Sequence, residues 1–167
     1  MCHLHTVQSM AEPLLAPDLD VLEWLNSEPL KLEDLRGKVV LIEAFQMLCP
    51  ACVTHALPQV KRVHEQFRSD ELAVIGVHTV FEHHEAMTPV ALRAFLSEFR
   101  YRFPVAVDRP APQGNIPITM ARYDLQGTPS QILIDRRGRI RSRTFGVVDD
   151  LSLGARLGRL LGETGVD

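Results

Sequence analysis

Apolar positions change their spacing along the chain, and the change separates strands from helices. Val39-Val40-Leu41-Ile42-Glu43-Ala44-Phe45 is a short, β-branched-rich run with one polar interruption, which predicts a buried strand. Gln46-Met47-Leu48-Cys49-Pro50-Ala51-Cys52 follows. From Val53 the apolar positions fall at Ala56/Leu57, Val60, Val63 and Phe67, which is helical spacing. Leu72-Ala73-Val74-Ile75-Gly76-Val77-His78-Thr79-Val80 predicts a second buried strand. A polar loop over 81–87 leads to Thr88-Pro89, a cap and first-turn pair. The helix behind it carries Val90, Leu92, Phe95, Leu96 and Phe99 and runs to about Arg100.

Residues 103–108 predict a third strand with Pro104 at its start, where a missing donor is tolerated. The Pro- and Gly-rich stretch 109–117 is loop, and 118–125 is a short helix ending at Gly127. Gln131-Ile132-Leu133-Ile134-Asp135 and residues 139–145, joined across Arg136-Arg137-Gly138, predict a hairpin. A last helix starts at Asp149 and carries Leu151, Leu157, Leu160 and Leu161. Upstream the pattern is weaker. Residues 1–17 have no period and contain Pro13 and Pro17, so they read as a loose lead-in. Residues 18–26 partly alternate, 26–29 signal a turn, and Leu30-Lys31-Leu32 leads into a helical turn closed by Gly37. This predicts a small β-hairpin added before the main sheet. The order of elements implies an α/β fold: a mixed sheet covered on both faces, forming one domain over 18–165.

Composition narrows the function classes. With 167 residues, 46% hydrophobic and 23% charged, the chain suits one soluble domain with a sizeable core. A net charge of -3 offers no basic field for nucleic acid. No apolar run approaches the roughly 20 residues that span a bilayer. The first eight residues lack a basic segment followed by an apolar one. That points to the cytoplasm, with a periplasmic or extracytoplasmic location open if a leader has been removed. Three cysteines are too few for a disulfide scaffold, and two of them form a close pair. Cys2-His3-Leu4-His5 is either a frayed terminus or a metal-binding tip.

The close pair carries the chemistry. Cys49 and Cys52 fall where a strand hands over to a helix N-terminus. The first helical turn has N–H groups without partners and the positive end of the dipole, which stabilise a thiolate. The thiolate is the nucleophile of disulfide exchange. Pro50 suits a first turn because its missing donor would be unpaired anyway. Two intervening residues let the second sulfur curl back toward the first. Cys49 is therefore expected to be the exposed attacking thiol, and Cys52, one turn deeper, the resolving one.

A strand, then Cys-X-X-Cys on a helix, then Gly127-Thr128-Pro129 before an antiparallel hairpin, resembles the thioredoxin superfamily over about residues 18–163. Within it the chain looks most like the TlpA/ResA-type thiol-disulfide oxidoreductases. Leu32-Glu33-Asp34-Leu35-Arg36-Gly37-Lys38-Val39-Val40-Leu41 resembles their lead-in to the first core strand, and the helix after Met87 fits the insertion they carry. The resemblance implies a three-layer α/β/α sandwich with an inserted helix and strand. It also implies a cis Thr128–Pro129 bond, the Thr128 backbone facing the sulfurs to pair with an extended partner, and Leu48 and Pro50 beside it. Glu43 matches the superfamily's buried acid, which trades a proton with the resolving cysteine; the alternative is a strand-end glutamate reaching water, Lys38 or Lys61. Two departures bear on partner choice. Leu48 replaces the usual tryptophan, and Pro58 lies one residue further from the cysteines than in most thioredoxins, which shifts the helix kink or introduces a bulge.

The function expected is dithiol/disulfide exchange with a disulfide- or dithiol-containing protein or a small thiol, with no organic or metal cofactor required. A peroxiredoxin-like thiol peroxidase is a second reading. By resemblance that family wants Pro and Thr at set distances upstream of its cysteine, and here Ile42 and Gln46 precede Cys49, while Phe45 and Cys49 precede Cys52. A copper or zinc protein using Cys49, Cys52 and a histidine is a third reading, though no local spacing supplies three ligands. His55 lies three residues past Cys52, and His83-His84-Glu85 sits in a polar loop; both read first as solvated.

Overall fold

The computed structural model, which describes residues 14–163, joins six strands into one mixed sheet. They are Val21–Leu25 (β1), Val39–Phe45 (β2), Leu72–His78 (β3), Val105–Asp108 (β4), Ser130–Ile134 (β5) and Ile140–Phe145 (β6), in the spatial order β1-β4-β3-β2-β5-β6. The α-helices are Leu57–Gln66 (α1), Pro89–Glu98 (α2), Ile118–Arg122 (α3) and Asp150–Gly162 (α4). β2 is central. It pairs parallel with β3 from Val39↔Leu72 to Phe45↔His78, and antiparallel with β5 from Val40↔Ile134 to Ala44↔Ser130.

Every residue of β2 is buried, so its alternation feeds two cores. Val39, Leu41 and Phe45 join Cys52 and the inner residues of α1, α2 and α4. Val40 and Ile42 join Leu32, Leu35 and Tyr123 on the opposite face. Period-two geometry therefore sets Glu43 on the first of these faces, the one Cys52 shares. Gly76 in β3 allows close packing there. A Cβ at that position would lie 3.0 Å from the Phe103 ring and 3.1 Å from Phe45. Gly76→Ala is expected to cost about 1–3 kcal/mol by overpacking, read as a lower urea midpoint with an unchanged slope.

Three expectations need correction. The N-terminal hairpin does not form: β1 pairs antiparallel with β4, with Trp24 opposite Ala106. Leu30–Leu32 does not return as a second strand, because Leu32 and Leu35 are buried by a 3-10 turn, Leu32–Leu35, that packs under the sheet. The end of β1 is tied down by Asn26, whose side-chain amide donates to the carbonyls of Tyr101 and Phe103, each at 3.0 Å. Second, the end of the lead-in is held. Ala16 N–H donates to the Gly138 carbonyl at 2.9 Å and Ile140 N–H to that of Leu14 at 2.8 Å. Cys2-His3-Leu4-His5 lies outside the described residues. Third, Leu151 in α4 is 83% exposed, and Leu153 packs inward in its place.

The displaced Pro58 produces a bulge. Cys52–Ala56 is a π turn, and Leu57 N–H donates to the Cys52 carbonyl, five residues back. The helix continues unbroken from the π turn into α1, and the extra residue falls just before Pro58, where the ring and the missing donor interrupt the regular ladder. Among the described residues, no helix is long and apolar enough to cross a membrane.

Candidate active site

The cysteines sit just past the C-terminal end of β2. The strand ends at Phe45, whose carbonyl takes the Thr79 N–H at 3.0 Å. Residues 46–49 then turn, with Cys49 N–H on the Gln46 carbonyl at 3.1 Å. Two buried polar side chains shape this turn. Gln46 accepts the Phe81 N–H through Oε1 and donates through Nε2 to Glu82, both at 3.3 Å. His78, from the end of β3, accepts the Met47 N–H at Nε2, 3.4 Å away. Its other nitrogen, Nδ1, is buried without a partner. Burial pushes His78 down to about 4, so the ring is neutral and free to accept.

The two sulfurs lie 2.6 Å apart as free thiols. Cys49 is half-buried and Cys52 fully so. The Cys52 backbone N–H donates to Cys49 Sγ at 3.3 Å, and Cys49 Sγ lies 3.6 Å from the Thr128 carbonyl oxygen. Burial pushes the Cys52 thiol up, and the Cys49 sulfur beside it adds to the effect. The Thr128–Pro129 bond is cis. The Pro129 carbonyl takes the Gly146 N–H at 2.8 Å, which holds this loop against the end of β6. Leu48, Cys49, Pro50, Thr128 and Phe145 line an open cleft of about 430 Å³. Leu48 is 55% exposed and Phe145 59%, so apolar surface flanks the reachable sulfur.

Glu43 is 1% exposed, and neither Lys38 nor Lys61 pairs with it. Its Oε2 accepts from Gln131 Nε2 at 3.2 Å. Burial pushes Glu43 up to about 8, and the Gln131 hydrogen bond opposes the rise. His55 bonds the neighbouring Thr54 hydroxyl at 2.7 Å rather than a sulfur. Among the described residues, no group of three or more His, Cys, Asp or Glu side chains is placed to hold a metal ion.

The structure thus brings Leu48, Cys49, Pro50 and Thr128 to one cleft, with Cys52 buried against Cys49, Pro129 joined to Thr128 by the cis bond, and Glu43 buried on the face of β2 that Cys52 shares. Sequence reading passed over Gln46, His78 and Gln131. The available signal was the same for His78 and Gln131 as for Glu43, a polar residue within a strand that is otherwise apolar.

Comparison with known proteins follows the same line. The AhpC/TSA family profile matches residues 14–143. A solved thiol-disulfide isomerase from Corynebacterium glutamicum is 55% identical, with a TM-score of 0.89 over 93% of this chain and 100% of its own. Protein DipZ of Mycobacterium bovis is 34% identical over 138 residues, 80% of this chain, and the match spans only 19% of DipZ. The thioredoxin-like protein YneN of Bacillus subtilis is 27% identical over 134 residues, 80% of this chain and 71% of YneN. The chain belongs to the AhpC/TSA family, has the thioredoxin-like fold, and is similar to the ResA-like thiol-disulfide oxidoreductases.

Proposed function

We propose that this chain exchanges disulfides with a partner protein or small thiol through Cys49 and Cys52. The observation that carries the reading is the asymmetry of the pair. The reachable sulfur receives a backbone N–H and stands beside Thr128, while its partner is sealed 2.6 Å away.

In the reductive direction, the Cys49 thiolate attacks one sulfur of the partner disulfide, and the other partner sulfur leaves as a thiolate. A mixed disulfide now joins Cys49 to the partner. Cys52 gives its proton to the Glu43 carboxylate and attacks Cys49 Sγ, expelling the second partner sulfur. Two electrons have passed to the partner, and Cys49–Cys52 is oxidised. In reverse, protonated Glu43 returns the proton as Cys52 leaves. Thr128 and Pro129 present the backbone edge an extended segment pairs with, and Leu48 and Pro50 form the rim it crosses.

Reduction of insulin by the full chain, with dithiothreitol as electron donor, tests the reading. The wild type is expected to catalyse it and Cys49→Ser to fall to the uncatalysed rate. Undiminished activity in Cys49→Ser contradicts it. A chain that consumes hydrogen peroxide but leaves insulin oxidised is a thiol peroxidase instead.

A further inference from the structure

A line of side-chain amides runs from the buried carboxyl to the protein surface, and its two ends differ in what they can accept. Gln59, in α1, donates through Nε2 to the Val148 carbonyl and to Asp150 Oδ1, each at 2.8 Å. Both partners are acceptors only, so the Gln59 amide has one usable orientation. Its carbonyl oxygen must then face β5, where Gln131 Nε2 meets it at 3.3 Å. That same nitrogen meets Glu43 Oε2 at 3.2 Å. Both Gln131 hydrogens are thereby used, and its carbonyl oxygen is buried without a partner.

We propose that Gln59 is a positioning residue for the buried acid: anchored at Val148 and Asp150, it fixes the Gln131 amide so that an N–H, and never the carbonyl, meets Glu43. The inference rests on the reading that Glu43 trades a proton with Cys52. Its consequence is a bias toward the carboxylate. A protonated Glu43 needs an acceptor, and the orphaned Gln131 carbonyl is the natural one. Turning the Gln131 amide to offer it sets that carbonyl against Gln59 Oε1. Turning Gln59 as well sets its oxygen against Val148 and Asp150. The acid form is thus denied its best partner, while the carboxylate keeps a donor.

Asp150 is itself held by Arg62 Nη2, at 3.0 and 3.1 Å from its two oxygens, so the chain begins at a surface ion pair. Gln131 from β5 bonds Glu43, Gly76 from β3 stands opposite it in the sheet, and Cys52 lines the same face of β2. Burial lifts Glu43 to about 8, and the amide chain works against that rise, keeping proton release within reach of neutral pH.

The test is a titration of Glu43 in the full, reduced chain, followed by the carboxyl carbon signal of labelled glutamate and assigned by its loss in Glu43→Gln. Gln59→Met is expected to raise the proton affinity of Glu43 about tenfold, although residue 59 does not touch it. Gln131→Met is expected to raise it as well. The double variant is expected to match Gln131→Met alone, because Gln59 acts only through Gln131. An unchanged midpoint in Gln59→Met, or a double variant shifted by the sum of both, overturns the proposal. Should Gln59→Met fail to fold, Asp150→Ala at the exposed end decides. A midpoint raised by less supports the chain, since Val148 still holds Gln59, and an unchanged one overturns it. Insulin reduction by the wild type is read separately: no activity with the shift present sinks the exchange reading, and full activity with no shift in Gln59→Met sinks this one.

Discussion

Glu43→Gln is expected to stabilise the protein by about 4–5 kcal/mol above pH 8 while slowing release of the mixed disulfide on the order of 100-fold. The stability part follows from the buried carboxyl. Its folded value is about 8 against 4.5 in the open chain. Between these values the folded state holds a proton that the unfolded state has released, so stability falls as pH rises, by about 1.4 kcal/mol per pH unit. Above pH 8 the fold contains a desolvated carboxylate. Glutamine has the same shape, carries no charge, and offers Oε1 to the Gln131 N–H that Glu43 accepts now. The gain is therefore expected to vanish toward pH 4.5, and urea titrations at pH 5, 7 and 9 measure it. The kinetic part follows from the lost proton acceptor. Attack by Cys49 does not involve Glu43 and is expected to keep its rate, so the defect falls on the second step alone.

His78 is expected to produce the opposite slope. Burial holds it at about 4 against 6.5 in the open chain. Between these values the unfolded state binds the proton and the folded state does not, so stability is lost as pH falls through this window, by about 3 kcal/mol in full. A protonated ring also cannot accept the Met47 N–H, and two donors would face each other beneath the turn that carries Cys49. His78→Gln keeps a neutral acceptor and does not titrate. Because Glu43 opposes His78, the wild-type urea midpoint is expected to stay nearly level between pH 6.5 and 4.5, whereas that of His78→Gln is expected to rise as pH falls across this window, and its activity to persist to lower pH. Midpoints that run parallel in the two proteins over this window would contradict the role given to His78. Because the Glu43 and His78 slopes oppose each other between about pH 4.5 and 6.5, stability is expected to be greatest in this mildly acid range.

How much of this the sequence revealed depended on the distance between partners. β2 and the Cys49–Cys52 pair were legible because a β-branched run, a motif and a helical period sit side by side in fewer than 30 residues. The bulge at Cys52–Ala56 was legible too, since Pro58 stands one residue late and a helix can absorb that only by shifting or inserting. The pairing of β1 was not. A strand's partner is a non-local choice, and nearness in sequence favoured a hairpin over β4, which lies about 80 residues away. His78 and Gln131 were hidden for the same reason: their partners come from residues 31 and 88 positions off. Glu43 stood out because a matching position in the superfamily carries an acid, whereas Gln59 on a helix reads as surface until the fold sets it beside β5.

The central claim, that the half-buried sulfur attacks and the sealed one resolves, is tested most directly by trapping. Cys52→Ser and Cys49→Ser are each reduced, mixed with a disulfide-containing protein, and quenched with a thiol-blocking reagent before separation by mass. Cys52→Ser is expected to accumulate a one-to-one mixed disulfide through Cys49, and Cys49→Ser to accumulate none. Adducts on Cys49→Ser alone would assign the attack to Cys52 and contradict the account.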